Sequence, residues 1–444
     1  MATPEAFLSA LYPLLPLFST SKSARSLSGK VDGQVRVALD ALAAISVANG
    51  TGDVVAVALD ARPHETKLYV ATNGDVKHEV EDHLISVWSC LGRIAKLANG
   101  RHSTTSSSDI NAHRMDLTLQ IYRFSRKKFR SEFEKHSEEF LRVFPQGHTS
   151  SVWNSLFDRD QYEVLGYIQS TFKSITDSVK VEKPTDNQVH SLAGLVDKLD
   201  RLHAHVNTKI FLEVRRYLRK VLSLRNHIEV LLQIACTKKF RSWFLPVMSV
   251  VKVPGMSQSY AVDMGNLYFT QQCFGSRGQF ESVRPRWNTE VLEVVRSELI
   301  NRHCSVSGHG QNTFTFARVF IHCECALAVY IDDHPGAKPF RFIGVSKLCC
   351  HGCYTFLRAY NKNVGSPFEF KGTHGKVYLP YVFPKIPSRS TLVSNAAIRR
   401  DMLKILKDDF HVAWTQPRRG RRYSDSTAAS PPPPDTEQED QGDH

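Results

Sequence analysis

The chain has 444 residues, 42% of them hydrophobic and 23% charged, which suits a globular protein with a large core and excludes a fibrous or wholly disordered one. Nine cysteines at uneven spacing exclude a dense disulfide scaffold, and no apolar run reaches the roughly 20 residues that a membrane-spanning helix needs. A formal net charge of +13 favours polyanionic partners.

The apolar stretch Leu8 to Phe18 is interrupted by Pro13 and Pro16 and has no basic lead-in, so no secretory signal is expected. Val31 to Val47 carries Ala, Leu and Val at helical spacing and ends at Asn49-Gly50, which predicts a helix. Val54 to Leu59 and Lys67 to Thr72 are short β-like runs on either side of the turn-forming stretch Asp60 to Glu65. From Glu79 to Lys238 the texture becomes long and amphipathic, as in Met115 to Val143, Trp153 to Val179 and Val189 to Ala235. The basic clusters Arg123 to Arg130 and Arg215 to Lys220 read as solvated helix faces.

Phe240 to Ser282 lacks a clear period and supports only short strands, followed by a helix over Asn288 to Arg302. An α/β rhythm follows: a strand at Phe314 to Phe320, a helix through His322 to Tyr330, a strand at Phe340 to Val345, a helix from Cys350 to Tyr360 and a strand at Lys376 to Val382. Asn395 to Val412 is a last amphipathic helix. Beyond Thr415 the polar, proline-rich composition predicts disorder, with Arg418 to Arg422 as a nuclear-import signal, a nucleic-acid contact or a plain solvated tail.

Five of the nine cysteines fall between Cys323 and Cys353. In an intracellular protein, cytoplasmic or nuclear as is expected here, clustering of that kind points to metal or thiol chemistry. His322-Cys323-Glu324 opens one predicted helix, and Cys350-His351-Gly352-Cys353 opens the next, with a strand between them. His-x-Glu followed by Cys-x-x-Cys is the pattern of zinc-dependent nucleobase deaminases. A catalytic Zn2+ wants three protein ligands and one open position, which His322, Cys350 and Cys353 would supply, and two thiolates with a neutral imidazole leave the ion without net charge. Glu324 would be the proton shuttle and not a ligand. Cys350 and Cys353, at i and i+3, share a face in the first helical turn, where the dipole favours thiolates. His322 and Glu324 would diverge inside a regular helix and so belong at its opening turn. A closed structural site built from His322, Cys323, Cys350 and Cys353 is the alternative, although Cys323 and Cys349 read better as small buried residues.

At His322 to Leu327, Gly344 to Cys353 and Gly372 to Tyr378 the sequence resembles the OTT-like nucleic acid deaminase family, found largely in filamentous fungi, within the cytidine deaminase-like superfamily. The resemblance is specific over Phe316 to Pro384. It implies an α/β fold, a three-layer α/β/α cytidine deaminase-like domain with the two zinc-binding helices on one face of the sheet. One departure is that the superfamily usually places proline before the first cysteine, where this chain has Cys349.

The superfamily core begins with a helix and a hairpin, and here those are found only near the N-terminus. The expected organisation is therefore a split domain: residues 30–75 as helix and hairpin, 76–313 as a mainly helical insertion, 314–414 as the zinc-binding core and 415–444 as a disordered tail. Long insertions are tolerated because closure entropy grows only logarithmically with length. In similar deaminases an asparagine after the second strand contacts the nucleoside or base. Asn73 stands at that place, although Asn73-Gly74 also reads as a simple turn. Two functions remain open at this point: a zinc-dependent hydrolytic deaminase of cytosine or adenine, with nucleic acid the favoured substrate, and an inactive zinc-stabilised interaction protein that binds a protein partner through its helices.

Overall fold

The structure is a computed structural model. It describes residues 3–15, 31–50, 53–98, 105–143, 159–204, 212–307, 312–365, 367–386 and 394–415; Arg418 to Arg422 and the expected tail lie outside them. Helices α1 (Pro4–Leu11) and α2 (Gly33–Ile45) precede a hairpin of β1 (Val55–Ala61) and β2 (Thr66–Thr72). A helical stretch follows: α3 (His78–Leu97), α4 (Thr105–Phe124), α5 (Arg126–Val143), α6 (Arg159–Lys180), α7 (Asp186–Ala204), α8 (Leu212–Val221), α9 (Ser223–Cys236) and α10 (Lys238–Phe244). The chain then alternates through β3 (Met248–Lys252), β4 (Ser257–Asp263), α11 (Leu267–Phe274), α12 (Arg277–Trp287) and α13 (Glu293–Asn301). It ends with β5 (Ser305–Ser307), β6 (Thr313–Phe320), α14 (Cys323–Asp333), β7 (Phe342–Val345), α15 (His351–Asn363), β8 (Glu369–Phe370) and α16 (Asn395–Thr415). None of the described helices is long and apolar enough to cross a membrane.

The central sheet runs β3-β2-β1-β7-β8. β1 pairs antiparallel with β2, from Val55 opposite Thr72 to Ala61 opposite Thr66, and on its other edge antiparallel with β7, Ala56 opposite Val345 and Val57 opposite Gly344. The early hairpin and the late strand thus share one sheet. β3 and β8 each join in parallel, on β2 and β7. β3 lies inside the segment expected to be mainly helical, so that segment also widens the sheet.

Side chains alternate across the sheet with period 2 and enter two separate cores. Val55, Val57, Leu59, Leu68 and Val70 pack with α2 and the long helices. Ala56, Ala58, Tyr69 and Ala71 pack with α14 and α15. With both faces covered, the first six residues of β1 are buried and read as an unbroken apolar run. This is the expected three-layer α/β/α arrangement with a large helical addition. The layer of α2 lies close: a Cβ at Gly344 would come within 2.4 Å of the Leu39 backbone, so only glycine fits there. The buried carboxylate of Asp40 on α2 accepts the Val345 N–H at 3.0 Å and ties that helix to β7.

The helical stretch is fastened to the core at the C-terminus of α2, whose last carbonyls have no partner within the helix. Lys128 Nζ donates to Ala44 O at 3.0 Å, His83 Nε2 lies 3.2 Å from Ile45 O, and Ser125 Oγ donates to the same Ile45 oxygen at 3.2 Å. Lys128 is therefore buried, and the cluster Arg123 to Arg130 is not a purely solvated face. Arg123 pairs with Asp186, and Arg126 donates to Glu182 O at 2.7 Å.

A second sheet, β4-β6-β5, is antiparallel throughout and delivers the chain to the site. Ile321, the residue between β6 and His322, donates its N–H to Met256 O at 2.8 Å. The expected strand Lys376 to Val382 does not form. The alternation that suggested it is real, since Val377, Leu379 and Tyr381 are buried and Tyr378 is exposed. The ladder is missing, because the Lys376 carbonyl is taken by the N–H of His351 at 2.9 Å and no described strand lies alongside. The fifth strand is instead the short β8.

Candidate active site

Two helix starts meet on the α14 face of the sheet. His322 is the N-cap of α14, with extended backbone (φ −64°, ψ 142°), and Cys350 is the N-cap of α15 (φ −70°, ψ 166°). Extended backbone at both caps turns the chain sharply into each helix, so His322 and Glu324 are carried by a cap and a first turn and can face the same space. The Cys350 sulfur accepts the Cys353 N–H at 3.3 Å, as an N-cap oxygen would.

His322, Cys350 and Cys353 form one cluster of ligand atoms that could hold a metal ion. His322 Nδ1 lies 3.1 Å from Cys353 Sγ and 3.3 Å from Cys350 Sγ, and the two sulfurs are 3.4 Å apart. A tetrahedral zinc with ordinary bond lengths would hold the same atoms about 3.6 to 3.8 Å apart. A few tenths of an ångström of expansion accommodate the ion, so the donor set fits. Cys323 is outside this cluster: its sulfur lies 3.5 Å from Glu324 Oε2, and the chain does not assemble the four-ligand alternative. Cys323 and Cys349 are fully buried, as small apolar residues would be.

Glu324 is 4% exposed, and its Oε2 is 3.8 Å from Cys353 Sγ. Burial raises its pKa; the charge of His322 opposes the shift and the Cys350 sulfur adds to it. The carboxyl is thus held ready to carry a proton above the usual carboxylate range. Burial disfavours charge on His322, yet Cys350 and Glu324 raise its pKa to about 9. For Cys350 burial is overcome by hydrogen bonding from Cys353 and by His322, which bring its thiol well below the ordinary range. These three groups share charge as a unit, and a cation among them would replace the proton on the imidazole.

At Asn73 the structure shows the turn, together with a contact that the sequence reading did not include. Gly74, at φ 141°, makes the turn, while the Asn73 side chain reaches across to accept the Cys323 N–H at 2.9 Å. That bond ties the hairpin to the first turn of α14. A cavity of about 110 Å³ is lined by Asn73 together with Asp53, Thr72, Asp75 and Lys77; none of the three candidate ligand residues lines it.

Over residues 321–385 the sequence matches the family model described as OTT_1508_deam:-like deaminase. This segment belongs to that deaminase family. No curated protein and no solved structure matches the chain. The matched segment holds all four reactive side chains, together with groups that the motif alone did not single out. Tyr381 sets its ring edge-on to His322, centroids 5.6 Å apart, and donates its hydroxyl to Gly352 O at 3.1 Å. Gly352 has to be glycine, because a Cβ would meet the Tyr381 ring at 2.6 Å.

The deaminase segment also explains its missing proline. The Cys349 N–H donates to Gly372 O at 3.2 Å, and Cys349 O accepts from Thr373 Oγ1 at 2.8 Å and from the His374 N–H at 3.2 Å. Proline at 349 would have no N–H to give. Here the loop after β8 grips the helix start that proline would otherwise stiffen.

Proposed function

We propose that the chain is a zinc-dependent hydrolytic deaminase acting on a nucleobase, cytosine or adenine, carried in nucleic acid. The observation that carries this reading is the convergence of His322, Cys350 and Cys353 with a buried Glu324 beside them, inside a segment that matches a deaminase family. Zinc held by those three residues would acidify a water molecule at its fourth position. Glu324 has the burial and raised pKa suited to taking that proton and returning it to the ring nitrogen and the departing ammonia. Asn73 uses its carbonyl oxygen on α14, which leaves its amide N–H groups for a substrate oxygen.

We also propose that residues 30–75 and 314–414 make up one split deaminase core, with 76–313 as the insertion. Pairing of β1 with β7 supports this reading. The net charge of +13 supports a nucleic-acid substrate.

The test is purified protein with its bound metal quantified, assayed for ammonia release from single-stranded DNA, RNA and free nucleosides. Zinc near one per chain and release from a polymer are the expected results. Zinc without turnover on any substrate would instead mark the chain as a metal-stabilised interaction protein.

A further inference from the structure

The loop that grips Cys349 also presents His374 beside the metal-binding cluster. Lys376 donates its N–H to His374 Nδ1 at 3.0 Å, and a nitrogen that accepts carries no proton, which leaves the ring proton on Nε2. Burial lowers the pKa of this ring to about 4, and the charges of Cys350 and His322 reach it. It is therefore a neutral donor near the cluster, and Nε2 has no protein partner among the described residues. Tyr378 stands next to it, ring centroids 5.4 Å apart and planes at 76°, with 40% of its surface exposed although its neighbours Val377 and Leu379 are buried.

An outward aromatic face beside an unspent N–H donor, in a chain of net charge +13, matches what holds an unpaired base: the ring accepts any base by stacking and the donor takes one of its acceptor atoms. A duplex would keep its base faces stacked on one another and its Watson–Crick edges paired. We infer that His374 and Tyr378 form a ledge that binds single-stranded nucleic acid, with Tyr378 stacking on a base and His374 Nε2–H donating to a base nitrogen or carbonyl oxygen. This inference rests on the deaminase reading and narrows its substrate to a single-stranded polymer.

The experiment measures fluorescence anisotropy of labelled single-stranded DNA and RNA of about 15 nucleotides, a length that covers one binding groove, with the metal-loaded full chain. Tyr378→Ala weakens binding about 5- to 100-fold, the loss expected for one stacked base, while Tyr378→Phe retains it. His374→Asn separates recognition from structure, because the asparagine oxygen can still accept the Lys376 N–H while its amide N–H groups end short of the position of Nε2. It is expected to bind the oligonucleotides more weakly, with zinc content and melting temperature unchanged. Wild-type affinity in Tyr378→Ala or in His374→Asn overturns the ledge. If the unmodified chain deaminates free nucleosides and binds no oligonucleotide, the ledge falls and the deaminase stands. If oligonucleotide binding drops in both variants but nothing is ever deaminated, the ledge stands and the deaminase falls.

Discussion

The two faces of the central sheet bury ionisable groups in opposite ways. On the α14 face, His322, Glu324, Cys350 and Cys353 crowd together, so each side chain's proton affinity depends on the others. On the α2 face, His83 and Lys128 are buried separately, and each meets a backbone carbonyl at the end of one helix. Burial is common to both, so burial does not mark a site. What marks it is convergence: several side chains face one another where a backbone partner would have satisfied each alone.

Substitutions sharpen this contrast. The largest effect is expected from Cys353→Ser on the first face, which removes a proposed metal ligand and leaves a crowded, uncompensated cluster. Metal content should fall to near zero, activity to background and the melting temperature markedly; full zinc by elemental analysis would break the ligand assignment. Glu324→Ala should keep the metal and the fold yet lower turnover by about 10² to 10⁴, the usual worth of acid-base assistance. Steady-state assays on protein of matched zinc content decide it, and an unchanged rate would end the proposed role.

The second face should respond in stability alone. His83 is neutral in the fold, its pKa lowered to about 4 by burial, with its ring stacked on Phe124 at 3.8 Å. The unfolded chain, with an ordinary histidine pKa near 6.5, binds the proton more readily. Its contribution is therefore complete above pH 6.5 and is lost as pH falls towards 4, by about 3 kcal/mol at most at 1.36 kcal/mol per unit. His83→Gln should flatten the acid limb of a denaturation series recorded between pH 7 and 4, and an identical limb would refute the assignment. Lys128→Ala leaves the Ala44 carbonyl without its side-chain donor and should cost about 1 to 2 kcal/mol in urea denaturation, with zinc content untouched.

Much of this was legible in the sequence because it is written locally. The hairpin shows as two apolar runs around a turn, and the candidate metal cluster shows as His-x-Glu and Cys-x-x-Cys at helix starts. The remainder depends on partners distant in the chain. β3 carries no strong period, and its place is set by pairing with β2, across the whole helical stretch. The segment Lys376 to Val382 has the alternation of a strand, but its backbone is spent on α15. Lys128 looks like any surface lysine until α2 ends beneath it. Asn73 supported a turn and a substrate contact from sequence; the fold shows the turn and adds a bond to the Cys323 N–H, a partner 250 residues away that no local pattern announces.

The parallel pairing of β3 with β2 restricts how this chain can be shortened. A chain leaving the sheet at Thr72 has to travel back along β2 before Met248 can pair beside Thr66, a distance of roughly 20 Å for the six residue steps between them. No tight turn can close that path, since parallel neighbours require a crossover of about a dozen residues or more. Excising the helices between them down to a short loop would therefore leave β3 unable to take its place, and the sheet would end at β2 with its outer edge bare. Any trimmed version that keeps five strands must keep a crossover as well.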